Sequence, residues 1–117
     1  MAPRISIFIE FELVGDVAEF ESIFREIVAS SRQAGGDLTY DFYRDAEAPN
    51  SIFALESHPD AAELEAHFRR SFPLLQKAWA CARPVKTVIM GDLPAPLKAE
   101  LEQGGVTAVP WWMGNDR

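Results

Sequence analysis

Cysteine is almost missing from these 117 residues: Cys81 stands alone. No intrachain disulfide can form, which fits a reducing compartment, and neither a CxxC nor a paired Cys/His zinc pattern is present. Basic residues are scarce as well. Lys and Arg number 11 against 18 Asp and Glu, a formal charge of −7. Such a surface repels phosphate backbones and anionic lipid, and its one short basic cluster is Arg69–Arg70. Nucleic acid and membrane are therefore not expected partners. No apolar run approaches the ~20 residues that span a bilayer. Near the start, Glu10 and Glu12 interrupt ISIFI before a signal-peptide core develops, so the chain reads as cytoplasmic. The sequence also has no nucleophile elbow, phosphate loop or dinucleotide fingerprint, and its reading includes no metal and no cofactor.

What is present suits one globular domain: 48% hydrophobic and 25% charged residues. RISIFIEFEL, 4–13, alternates Ile5, Ile7, Ile9, Phe11 and Leu13 against Ser6, Glu10 and Glu12, with Phe8 breaking the polar side. That is a strand. Asp16 then caps a helix, with Glu19 placed for a capping box. Val17, Phe20, Ile23, Phe24, Ile27 and Val28 form its apolar stripe, and Gly35–Gly36 ends it. LTYDFYR, 38–44, and SIFALES, 51–57, read as a hairpin with a loose loop at DAEAPN. Asp60 caps a second helix. Pro73 predicts a break near Ser71–Phe72, followed by a further helical piece, and VKTVIM, 85–90, is a fourth strand.

This order is ferredoxin-like βαββαβ, an α+β fold with an antiparallel four-stranded sheet and both helices on one face. Residues 1–91 form the domain and 92–117 a C-terminal extension, with a short helix at 95–103 and an extended piece ending in Trp111–Trp112. The two tryptophans are expected to dock on the same domain or across a dimer. The strands are apolar on both faces: Leu38, Tyr40 and Phe42 against Tyr43, Phe53 and Leu55 against Ile52, Val88 and Met90 against Val85 and Ile89. Two helices cover one face only, and a homodimer would cover the other.

LEAHFRRSF, 64–72, holds the sharpest candidate. Leu64, Phe68 and Phe72 share a stripe, with His67 and Ser71 on or beside it, four residues apart. One reading is a core histidine with both nitrogens satisfied. The other is a pocket group with Ser71 on one nitrogen and a ligand on the other. Glu56 and His58 share one face of the third strand, where a carboxylate beside an imidazole supports proton transfer; a solvated strand end is the alternative. Tyr40, Tyr43, Trp79, Arg44 and Arg83 are either core and surface residues or ligand contacts.

From Gly35 to Phe72 the sequence resembles the antibiotic biosynthesis monooxygenase family of dimeric α+β barrels. Gly36, Tyr43, Arg44, Glu56, Leu64, His67, Ser71 and Phe72 occupy its motif positions. The resemblance spans about residues 5–90. It departs where the family often has Trp two residues after the strand-three Glu, here His58, and Asn on the first strand, here only Ser6. What it implies is a homodimeric barrel and a cavity between sheet and helices, with His67 pointing toward it. Some members oxidise aromatic phenols or quinols with dioxygen and no cofactor; others degrade haem. On this reading a small aromatic ligand meets His67, Glu56 and His58 as catalytic groups. Tyr43, Arg44, Ser71, Phe72, Trp79, Trp111 and Trp112 are its contacts. A non-catalytic dimeric binding module is the alternative, and the size of any cavity at His67 separates the two.

Overall fold

Alternation places Ile5, Ile7, Phe11 and Leu13 of β1 (Ile5–Leu13) on one buried side. In the computed structural model, which describes residues 4–35 and 38–114, β1 is the middle of the sheet. It pairs antiparallel with β3 (Ala48–His58) and with β4 (Ala82–Met90), and β2 (Thr39–Asp45) pairs antiparallel with the far side of β3. The expected α+β, ferredoxin-like arrangement is present in these strands and two helices, α1 (Val17–Gln33) and α2 (Ala61–Cys81).

The sheet differs from the four-stranded antiparallel one expected. After α3 (Ala95–Gln103), residues Thr107–Val109 form β5, which pairs parallel with β4 and gives the order β2-β3-β1-β4-β5. Three residues are too few to show alternation, so nothing in the sequence marks this strand. The helical crossover is what lets it run parallel.

Both expected caps form. Asp16 accepts from the Ala18 N–H at 3.0 Å and Asp60 from the Glu63 N–H at 2.8 Å. Gly35, with φ +80°, follows the end of α1 in the left-handed region; Gly36 lies outside the described residues. The expected break at Ser71–Phe72 does not occur, and α2 runs unbroken through Pro73. Pro73 is on the exposed side, where the carbonyl deprived of its N–H donor is open to water, while the opposite side stays packed. The hairpin is tighter than expected. Only Ala46 and Glu47 separate β2 from β3, and the Asp45 carboxylate closes the turn by accepting from the Glu47 N–H at 2.9 Å.

Two apolar clusters fill the layer between sheet and helices. Phe11, Leu13, Phe20, Ile23, Phe24, Ile27, Ile52 and Ala54 belong to the larger. Ile5, Ile7, Leu64 and Ile89 form the smaller, against which Leu93, Leu101 and Val106 of the extension pack. On the other side of the sheet the register aligns Phe8 with Leu55 and Val88, and Tyr43 with Phe53. Tyr43 and Leu55 there are exposed. Among the described residues no helix is long and apolar enough to cross a membrane.

Candidate functional site

The site begins with the two-residue period of β3. Ile52, Ala54, Glu56 and His58 all point toward the helices and all are buried. Glu56 is registered between Tyr40 of β2 and Ile7 of β1, and His58 opposite Ile5. Above them α2 turns Leu64, His67, Ser71, Ala78 and Cys81 inward, and α1 contributes Ser31 one turn after Ile27. Three elements thus bring Ser31, Glu56, His58 and His67 together.

One oxygen of Glu56, Oε2, serves both rings. His58 Nε2 lies 3.1 Å from it and His67 Nε2 3.5 Å, and the two ring centroids are 4.9 Å apart. The other nitrogen of His67, Nδ1, is 2.7 Å from Ser31 Oγ. A hydroxyl both donates and accepts, so Ser31 supports either tautomer of the ring. Burial pushes the His67 pKa below its ordinary 6.5, with Glu56 opposing that shift and His58 and Arg70 adding to it. The ring is therefore neutral near pH 7 and able to take up a proton. Tyr40, its ring 6.1 Å from that of His67, has its pKa raised well above 10.0 by burial and by the Glu56 carboxylate, and stays protonated. Among the described residues, Glu56, His58 and His67 also form a group with metal-ligating atoms all within 4.8 Å of one another.

One space adjoins this cluster and a second lies beyond Tyr40. A void of about 10 Å³, the size of one water, is lined by Ser31, His58, Glu63, His67 and Arg70 among others. A groove of about 780 Å³ runs between α1 and β2, over Phe20, Phe24, Tyr40 and Phe42. Tyr40 is the residue shared between this groove and the surroundings of His67.

The remaining sequence candidates are placed elsewhere. Ser71 is buried with its Oγ unpartnered. The partner expected of it on His67 is Ser31, because the ring turns its Nδ1 toward α1. Phe72 and Trp79 are 38% and 40% exposed, in a row with Phe68 on the flank of α2. Each of Phe68 and Phe72 lies one residue, about 100° of helix, past an inward-facing position. The stripe expected through them is displaced onto His67 and Ser71. Trp79, one residue after buried Ala78, is off the core for the same reason.

Tyr43 and Arg44 line the α1–β2 groove, and Arg44 Nε donates to the Pro49 carbonyl at 2.7 Å. Arg83 pairs with Glu12 at 2.8 Å on the surface. The Trp111 N–H donates to Asp92 at 3.1 Å, and Trp112 is 84% exposed, so the docking expected of it is not seen in the single chain. Neither tryptophan lines either space. Sequence reasoning missed Ser31, although its position four residues after Ile27 continues the buried stripe of α1.

The sequence model of the antibiotic biosynthesis monooxygenase family matches residues 13–71, about half of the chain. No curated protein matches the sequence. Among solved structures, MupZ from Pseudomonas fluorescens is similar over 100% of this chain and 91% of its own, at 18% identity and a TM-score of 0.78. SnoaB from Streptomyces nogalater, a cofactor-independent oxygenase, is similar over 80% of this chain and 97% of its own, at 18% identity and a TM-score of 0.68. Rv0793 from Mycobacterium tuberculosis follows at 16% identity, 79% and 97% coverage and a TM-score of 0.63. At these identities the structures share a fold with this chain.

Proposed function

The chain belongs to the antibiotic biosynthesis monooxygenase family, and from that premise we propose that it is a monooxygenase acting on a small aromatic phenol or quinol without a cofactor. The observation that carries this reading is the buried Glu56–His58–His67 cluster, separated by Tyr40 from a groove with an aromatic floor. SnoaB, of the same fold, is a cofactor-independent oxygenase.

The substrate ring lies in the α1–β2 groove against Phe24 and Phe42, with its hydroxyl toward Tyr40 and His67. Arg44 orients it from the groove's edge, which Tyr43 borders while its position in the strand alternation is on the open side of the sheet. The space at His67 itself holds about 10 Å³, too little for a ring, so the ligand site of this reading is the neighbouring groove, whose volume of about 780 Å³ is within the roughly 300–1,000 Å³ typical of small-molecule sites. Once the Tyr40 ring and the Ser31 hydroxyl turn aside, Nδ1 of neutral His67 takes the phenolic proton, and Glu56, on Nε2, stabilises the imidazolium that results. His58 holds the shared carboxylate oxygen in place. The electron-rich anion then reacts with dioxygen: one oxygen atom enters the ring and the other leaves as water, all electrons coming from the substrate. A dihydroxynaphthalene and dioxygen would give a hydroxynaphthoquinone and water. Exclusion of bulk water by the Phe20, Phe24 and Phe42 side strengthens each of these interactions.

Oxygen uptake with a panel of dihydroxynaphthalenes and related quinols tests the reading. Wild type should turn over at least one of them, and His67→Ala should lower that rate by about 10²–10⁴-fold. Absence of uptake above background across the panel sinks it, and a non-catalytic binding role then takes its place.

The same reading includes a homodimer. The open side of the sheet carries Phe8, Phe53, Leu55 and Val88 in register, an apolar row of the kind that marks an interface. Light scattering should give twice the 13.1 kDa of one chain, and Leu55→Glu should return it to a single chain. A monomeric wild type overturns the dimer.

A further inference from the structure

Glu56, His58 and His67 present three acceptors to one another: a carboxylate oxygen and two imidazole Nε2 atoms. Only protons hold them together, and one of the two His67 tautomers leaves acceptors facing each other. If Nδ1 of His67 donates to Ser31, the lone pair of Nε2 faces the carboxylate, and two acceptors oppose each other at 3.5 Å. If Nε2 carries the proton instead, Ser31 must turn its hydroxyl around. A cation among the three atoms suits the first tautomer, because each atom then offers it a lone pair.

The geometry points to a binding site for one divalent first-row transition ion, of the zinc or ferrous class, ligated by Glu56, His58 and His67. Bonds of about 2.0–2.2 Å from such an ion require ligand atoms roughly 3.3 Å apart in a tetrahedral arrangement. Here the carboxylate oxygen is 3.1 Å and 3.5 Å from the two nitrogens, which matches that spacing, while the nitrogen pair, within the 4.8 Å that bounds the group, closes further as an ion binds. Two imidazoles and one carboxylate suit these metals, whereas calcium and magnesium prefer oxygen alone.

Two further observations fit an ion. Ser31 Oγ sits 2.7 Å from the outer nitrogen of His67, the position of a second-sphere group that orients the ring of a ligating histidine. The void of about 10 Å³ beside His58 and His67 has room for one water on a fourth coordination position, with the Glu63 side chain at its edge. Arg70 opposes the ion: it lines the same void, and its guanidinium already acts on the charge of His67. The site is accordingly weaker than a structural zinc site.

The inference goes beyond the oxygenase reading. An ion takes the place of the Nε2 proton that His67 directs at Glu56 in that reading, so binding and proton uptake exclude each other. Metal binding and turnover are therefore measured separately. Calorimetry of the full chain with Co²⁺ and Zn²⁺ should give one ion per chain, released protons, and for Co²⁺ the visible ligand-field bands of a low-coordinate N/O site.

Ser31→Ala should weaken binding by about 10–100-fold, and Glu56→Gln and His58→Gln by more. Arg70→Gln should tighten it. Circular dichroism checks that each variant is folded, and zinc should raise the melting temperature of wild type alone among the wild type, Glu56→Gln and His58→Gln proteins. No cobalt uptake by wild type at millimolar ion, or equal affinity in wild type, Glu56→Gln and His58→Gln, overturns the site. Oxygen uptake by chelator-treated protein reports on the oxygenase reading alone, and its absence leaves these binding results standing.

Discussion

The two halves of the covered face of β3 are equally hidden from water and opposite in character. Ile52 and Ala54 are 4% and 1% exposed, Glu56 and His58 5% and 2%. Around the first pair lie phenyl rings: Phe20 and Phe24 with centroids 4.7 Å apart, Phe11 and Phe20 at 5.4 Å, Phe24 and Phe42 at 4.9 Å. Around the second lie His67, Ser31 and Tyr40. Burial alone therefore does not say what a position is for. In the aromatic half, removal from water stabilises by about 25 cal/mol per Å² of apolar surface. In the polar half the same removal is unfavourable, and hydrogen bonds offset only part of it. A strand that could have continued Ile-x-Ala-x with two more apolar residues carries Glu and His instead, and the two hydrogen-bond to each other inside the fold.

The contrast can be broken from its strong end first. Phe24→Ala should lose about 3–5 kcal/mol of unfolding free energy, read from denaturant midpoints, because the ring touches Phe11, Phe20, Tyr40 and Phe42. A loss under about 1 kcal/mol would mean that the aromatic half is not the stabilising one.

The polar half should show itself by pH instead. The pKa of His67 is lower in the folded chain than its ordinary 6.5. The unfolded chain therefore binds more protons between the two values, and stability present above pH 6.5 is lost as pH falls toward the folded value. One proton limits the slope to about 1.4 kcal/mol per pH unit. Phe24→Ala should keep that slope and a folded His67→Gln should lack it. An identical acid slope in His67→Gln would assign the effect to other groups.

Much of this was legible in the chain. Alternation marked β1 and the inward positions of β3, the three-and-four spacing marked α1, and Asp16 and Asp60 stood where caps form. His67 drew notice because a polar residue occupied an apolar stripe, and Glu56 with His58 because a strand puts i and i+2 on one face. What spacing could not show is proximity between elements. Ser31 and His67 are 36 residues apart, and only the packing of α1 against α2 joins them. The metal-ligand geometry was invisible for the same reason, since no short motif contains Glu56 and His67 together.

Other misses have local causes. Phe68 and Phe72 drew the helix face one step too far round, and Pro73 looked like a stop because its tolerance depends on which side of α2 meets water. The extended tail beyond α3 announced two tryptophans but not a strand.

Addition of β5 also changes how this molecule meets its neighbours in a crowded solution. Val109 accepts from the Gly91 N–H at 2.8 Å, and the parallel pairing satisfies the rim of β4 over Val88–Met90. Polymerisation by strand addition needs a long bare row of backbone amides and carbonyls. On this flank the outermost strand is now three residues long, too short to template one. On the other, the outermost strand bears Asp41, Arg44 and Asp45, whose charges discourage a stray chain from annealing there.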